Sequence, residues 1–133
     1  MNTLHYRESK AEDVLRFELL VDGKFIGEIV GGENGGLSCW MIEGELPPYP
    51  EWAEGFVPSQ RFVCVCKCVE WGCGHTRCQV DINGETVRWH GFAGDVSTGK
   101  VNLEFTFSRA NYEAVIAEIT AKAAAERKSH REQ

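Results

Sequence analysis

No stretch of this chain approaches the ~20 consecutive apolar residues that cross a bilayer. The start, MNTLHYRESK, is polar and lacks the apolar stretch of a secretory signal. Membrane insertion is therefore not expected, and the expected location is cytoplasmic, where thiols stay reduced. No C-x-x-C pair occurs, which weakens both thioredoxin-type exchange and a zinc ribbon. No pair of carboxylates has a spacing that implies acid–base work, and no internal repeat or low-complexity linker divides the chain. The 133 residues suit a single domain, 1–133, able to bury one core.

Positive charge is also scarce. The net charge is −6, and residues 121–133 hold Lys122, Arg127, Lys128 and Arg131 against Glu126 and Glu132. That local +2 leaves −8 on the rest of the chain. Such a body repels nucleic-acid phosphates and attracts a basic protein, so no nucleic acid and no membrane are expected as partners.

Two turn signals organise what is present. Asp22-Gly23 and Asn83-Gly84 each lie between apolar runs and suit two-residue hairpin loops. The second is expected to pair Val80 with Val87 and Cys78 with Trp89, placing all four on one face. VNLEFTF alternates as a strand, with Val101, Leu103, Phe105 and Phe107 on one side. A helix over about 109–128 follows, with Ser108 as N-cap and Tyr112, Val115, Ile116, Ile119 and Ala123 as its apolar stripe. The expected fold is α+β: an antiparallel sheet of five or six strands in a hairpin meander, with the C-terminal helix on one face. A long glycine- and proline-rich loop is expected over about 31–60.

Five of the six cysteines fall in CVCKCVEWGCGHTRC, residues 64–78. RFVCVCKC reads as a strand with Phe62, Cys64, Cys66 and Cys68 on one side. Side chains two apart on a regular strand lie ~6.5 Å apart, whereas sulfurs around zinc must come within ~4 Å. The metal reading therefore takes Cys68, Cys73, His75 and Cys78 as ligands for zinc, with Cys66 in reserve. The same cysteines also read as small core residues, or as a thiol enzyme centred on Cys73 with His75 or His90 as base.

Other features carry weaker chemistry. GDVSTGKV sets Gly94, Gly99 and Lys100 at P-loop offsets, but Val101 stands where a hydroxyl is required, and a strand follows. GGENGG, residues 31–36, likewise lacks a following helix and reads as a loop. Trp40, Trp52, Trp71 and Trp89 suit either a ligand pocket or a core. A candidate binding surface comprises Trp40, Tyr49, Trp52, Arg88 and His90. No complete catalytic set is present, so the leading expectation is a non-catalytic acidic interaction protein, immunity- or antitoxin-like, with a basic partner. The alternative is a small zinc-binding protein or thiol enzyme at the Cys68–Cys78 turn.

The elements Cys68, GCG at residues 72–74, Trp89 with Phe92, Phe105 with Phe107, and Tyr112-Glu113 resemble a group of small bacterial proteins of unknown function. The resemblance spans roughly Arg61 to Ala117 and implies a sheet-plus-helix domain without naming an activity. Val69 stands where that group tends to have glycine, and His75 and Cys78 lie outside the shared motif.

Overall fold

The computed structural model describes residues 1–68 and 72–132. The expectations placed on Val69 and Trp71 lie outside the described residues. The architecture is α+β: two antiparallel sheets of four strands each and a C-terminal helix. A single meander of five or six strands was expected; the strands divide instead between two sheets around one core.

The first sheet begins with β1 (Leu4–Ala11) and β2 (Val14–Val21), paired along their whole length. Glu12 and Asp13 close this hairpin at φ 53° and 64°. Asp22-Gly23 turns β2 into the short β3 (Lys24–Phe25), with Val21 opposite Lys24, as the turn signal implied. A one-turn helix, α1 (Ile26–Ile29), follows. β4 (Leu37–Ser38) then pairs with β2.

The second sheet runs in chain order as β5 (Gln60–Val65), β6 (His75–Asn83), β7 (Thr86–Gly94) and β8 (Phe105–Ser108). The β6–β7 loop is Gly84-Glu85, one residue later than expected, so Val80 faces Trp89 and Gln79 faces His90. Each partner has moved by two residues, an even shift that leaves every side chain on its expected face. Opposite Cys78 the register breaks: Gln79 pairs with His90 but Arg77 with Ala93. Gly91 takes φ 62° there, the left-handed conformation a bulge of this kind requires. The VNLEFTF segment is a strand only from Phe105; Val101 lies in a turn and is exposed.

The sheets are joined at both ends. Asn2 bridges to Phe107 of β8, and Gly35 bridges to Val65 of β5. The space between them is filled by fully buried side chains from both sheets, including Leu4, Phe17, Leu19, Val87, Trp89 and Phe107. Each such large apolar side chain contributes about 1.5–3 kcal/mol on burial.

The helix α2 (Arg109–Arg131) presents the expected stripe to this core: Tyr112, Val115, Ile116, Ile119 and Ala123 are all buried. The Ser108 hydroxyl accepts from the Asn111 N–H at 3.1 Å, which caps the first turn. Asn111 also exchanges two hydrogen bonds with the Leu4 backbone. At the far end Arg127 donates to the Cys39 and Ile42 carbonyls, both at 2.7 Å. The 31–60 stretch is thus held down rather than free. It contributes Leu37, Cys39, Ile42, Leu46 and Tyr49 to the core, with a 3-10 turn at Cys39–Met41.

Candidate functional site: a three-thiol corner

β5 carries four consecutive buried residues, Phe62 to Val65. Val63 is an extra residue between Phe62, opposite Arg77, and Cys64, opposite Thr76. The strand ends at Val65; the Cys66 N–H makes one further cross-strand bond, to the Gly74 carbonyl at 2.8 Å, before the chain turns. Arg16 of β2, 2% exposed, secures the bend by donating to the carbonyls of Cys66, at 3.3 Å, and Lys67. Residues 67–68 form a turn, so the extended spacing that separates side chains two apart no longer applies.

The result is a cluster of sulfurs. Cys66 Sγ lies 3.1 Å from Cys68 Sγ and 3.4 Å from Cys73 Sγ. All three sulfurs lie within 4.8 Å of one another, and this is the one such group of three ligand side chains among the described residues. All six cysteines are free thiols. Opening the closest pair to the ~4 Å separation around a zinc ion with ~2.3 Å bonds needs a shift of under about 1 Å.

Of the four residues taken from sequence as ligands, the structure gathers Cys68 and Cys73 and adds the reserve, Cys66. Cys78 and His75 stand elsewhere. Cys78 is fully buried in the sheet, where burial pushes its thiol well above the ordinary value. The His75 ring lies 5.1 Å from the Phe62 ring and 5.5 Å from that of Tyr49, with Arg77 Nη1 2.8 Å from its Nε2. The physical reason is the bend: a straight strand would have kept Cys66 from Cys68, and the break at Val65 brings them together. A thiol enzyme centred on Cys73 with His75 as base gains no support from this arrangement. His90, the other histidine considered, pairs through Nε2 with Asp81 at 2.5 Å.

Within the cluster the neighbours favour the charged form of Cys66. Its pKa is lowered, first by the Cys68 backbone N–H directed at its sulfur and then by the thiols of Cys68 and Cys73. Cys73 is raised in turn to about 11, chiefly because its thiol serves the Cys66 sulfur. Cys64 is also raised to about 11, but by burial.

A cavity of about 550 Å³ opens beside the thiols. Cys66 and Cys73 line it with Lys67, and the opposite wall is built from the two glycine-rich stretches, at Gly31–Asn34 and Asp95–Ser97. Asn34, 8% exposed, donates from Nδ2 to Asp95 Oδ2 at 3.0 Å. Gly74 is wedged between these walls: a Cβ there would lie 2.7 Å from Asp95 Oδ2 and 3.0 Å from Asn34 Oδ1. The Ser97 N–H bonds the Val30 carbonyl at 2.8 Å, and the Ser97 hydroxyl donates to the Gly31 carbonyl at 3.2 Å. Neither stretch leads into a helix that could seat phosphate. Sequence reasoning missed Asn34 and Asp95 because nothing in the chain marks two loops 61 residues apart as neighbours.

The residues of the candidate binding surface differ in exposure and in partners. Tyr49 is 6% exposed, its ring packed on Phe62 and its hydroxyl bound to the Glu54 carbonyl. Arg88 is paired with Glu104, and His90 with Asp81, on β7. Trp40 and Trp52 are exposed, at 50% and 79%. Trp89 belongs to the core, edge-on to Phe107 and Tyr112. No helix among the described residues is long and apolar enough to cross a membrane.

An α+β framework of two joined sheets with a three-thiol corner is thus the class that fold and site define. Comparison with protein-family models, with curated proteins and with solved structures finds no match.

Proposed function

We propose that the protein binds a thiophilic metal ion, zinc foremost, through Cys66, Cys68 and Cys73. The observation that supports this is three thiols within 4.8 Å of one another on a bend held by backbone bonds and by Arg16. Soft thiolate sets select zinc over hard cations. Two of the sulfurs are exposed and the third is half-buried, so an ion can enter from solvent without unfolding the sheet. Cys39, Cys64 and Cys78 take no part and serve as core residues. Elemental analysis after zinc loading and dialysis tests the proposal: one zinc per chain is expected, and none in a variant with all three corner cysteines changed to serine. Zinc retained by that variant, or none in the parent, overturns it.

A second reading, an acidic interaction protein for a basic partner, is favoured by Trp52, which stands 79% exposed between Glu51 and Glu54 in the sequence. An indole flanked by carboxylates suits a cationic polypeptide. Titration with a lysine-rich peptide should shift the tryptophan fluorescence at low salt, and the shift should vanish at high salt and in Trp52→Ala. No shift at low salt removes this reading.

A further inference from the structure

The cavity beside the thiols has its own chemistry, and three observations bear on what it takes. First, the corner supplies three sulfurs, and no fourth ligand side chain joins them among the described residues. Zinc bound by three protein groups keeps a fourth position for an outside donor. Second, two of the three cysteines, Cys66 and Cys73, line the cavity, which at about 550 Å³ is of small-molecule size. Third, the cavity carries more negative than positive charge. Three thiolates around a divalent ion leave one net negative charge; Glu33 and Asp95 add two more. Against them stand Lys67 on the lining and the buried Arg16 beneath the corner. The balance is negative.

The far wall is built to stay in place. Asp95 is fixed by Asn34 through its side chain and by Thr76, whose hydroxyl donates to the Asp95 carbonyl at 3.1 Å. A Cβ at Gly32 would lie 2.7 Å from that same carbonyl oxygen, so this loop can approach so closely only because residue 32 has no side chain. The two stretches that the sequence offers as imperfect phosphate loops thus meet as one wall, and they present carboxylates. An anion is the wrong occupant.

We propose that this cavity, resting on the three-cysteine metal reading, binds a small aminothiol: its sulfur takes the fourth position on the metal and its ammonium faces Asp95 and Glu33. A sulfur donor completes the soft shell that three cysteines begin. The ligand's thiol proton passes to solvent as its sulfur binds and displaces water; no electron is transferred. The ammonium supplies the selectivity, because opposite charges in a partly enclosed site attract more than in bulk water.

Cobalt(II), whose absorption reports both thiolate ligation and coordination number, provides the test. The cobalt-loaded full-length protein is titrated with cysteamine, with N-acetylcysteamine, which lacks the charge, and with 3-mercaptopropionate, which reverses it. Cysteamine should bind best and mercaptopropionate worst. The cysteamine preference over N-acetylcysteamine should fall by about 5–10-fold in a Glu33→Gln, Asp95→Asn double variant, the scale of two partly screened charge contacts. Comparing ratios cancels the differing acidities of the thiols, and unchanged cobalt bands before titration show that the variant keeps its corner. Cobalt bands that do not respond to thiols, or a preference that the double variant retains, overturn this proposal and leave the three-cysteine site standing. Absence of thiolate–cobalt bands in the parent overturns both.

Discussion

Cys64 and Cys66 stand two residues apart in sequence and meet opposite fates. Cys64 is fully buried opposite Thr76 within β5, and burial lifts its thiol to about 11. Cys66 lies one residue past the end of that strand, and its pKa is lowered, first by the Cys68 N–H and then by two neighbouring thiols. Cys73 and Cys78 repeat the contrast across the sheet, the first exposed on the turn and the second enclosed in β6. Residue type does not separate them. What separates them is whether the backbone is extended and covered, or bent and open. Covered cysteines act as small apolar residues; open ones gather and can share a ligand.

That contrast can be broken most forcefully by exchanging the two roles. Cys66→Ser should weaken zinc binding by about 100-fold or more, about 2.7 kcal/mol, while Cys64→Ser leaves the affinity unchanged in a competition titration with a chelating dye. Next in size is the stability of the metal-free protein. Cys78→Ser places a hydroxyl in a fully covered site and should cost about 1–3 kcal/mol, read as a lower urea midpoint. Changing Cys66, Cys68 and Cys73 together should stay within about 0.5 kcal/mol, because exposed side chains contribute little to folding.

Alkylation of the metal-free protein resolves the contrast by pH. A lowered pKa keeps the thiolate populated at lower pH, so Cys66 should react with iodoacetamide along a pH curve whose midpoint lies below that of an unperturbed thiol. Cys73, at about 11, should lag until alkaline pH, and Cys64 and Cys78 should stay unmodified while the protein is folded. Peptide mapping at several pH values checks the order. The smallest effect is expected of Gly74→Ala. Its new methyl would press on the Asn34–Asp95 pair, 2.7 Å from Asp95 Oδ2 and 3.0 Å from Asn34 Oδ1, and only touch Cys66 Cβ at 3.8 Å, so zinc affinity should fall only about 3-fold.

The same contrast explains what could be read in advance. The helix stripe from Tyr112 to Ala123 and the Asp22-Gly23 turn followed local rules, periodicity and backbone preference, and stand where the sequence placed them. The β6–β7 loop was placed one residue early, yet the faces held, because Asn-Gly marks a turn better than it marks which residues close it. β1 escaped notice because Glu12-Asp13 turns the chain at positive φ with no glycine or asparagine to mark it. The thiol corner was half legible. Its cysteines are dense in the sequence, but the choice among them rested on a straight strand. The bend that follows Cys66 is held by Arg16, which lies 50 residues away, and no local pattern reports that contact.

X-ray absorption at the zinc edge of the loaded protein, without added thiol, puts the central assignment to the most direct test. Three sulfur scatterers at about 2.3 Å with one oxygen are expected, unchanged by Cys78→Ser or His75→Ala and reduced by Cys66→Ser. An imidazole signature, or a sulfur lost in Cys78→Ser, would contradict the account.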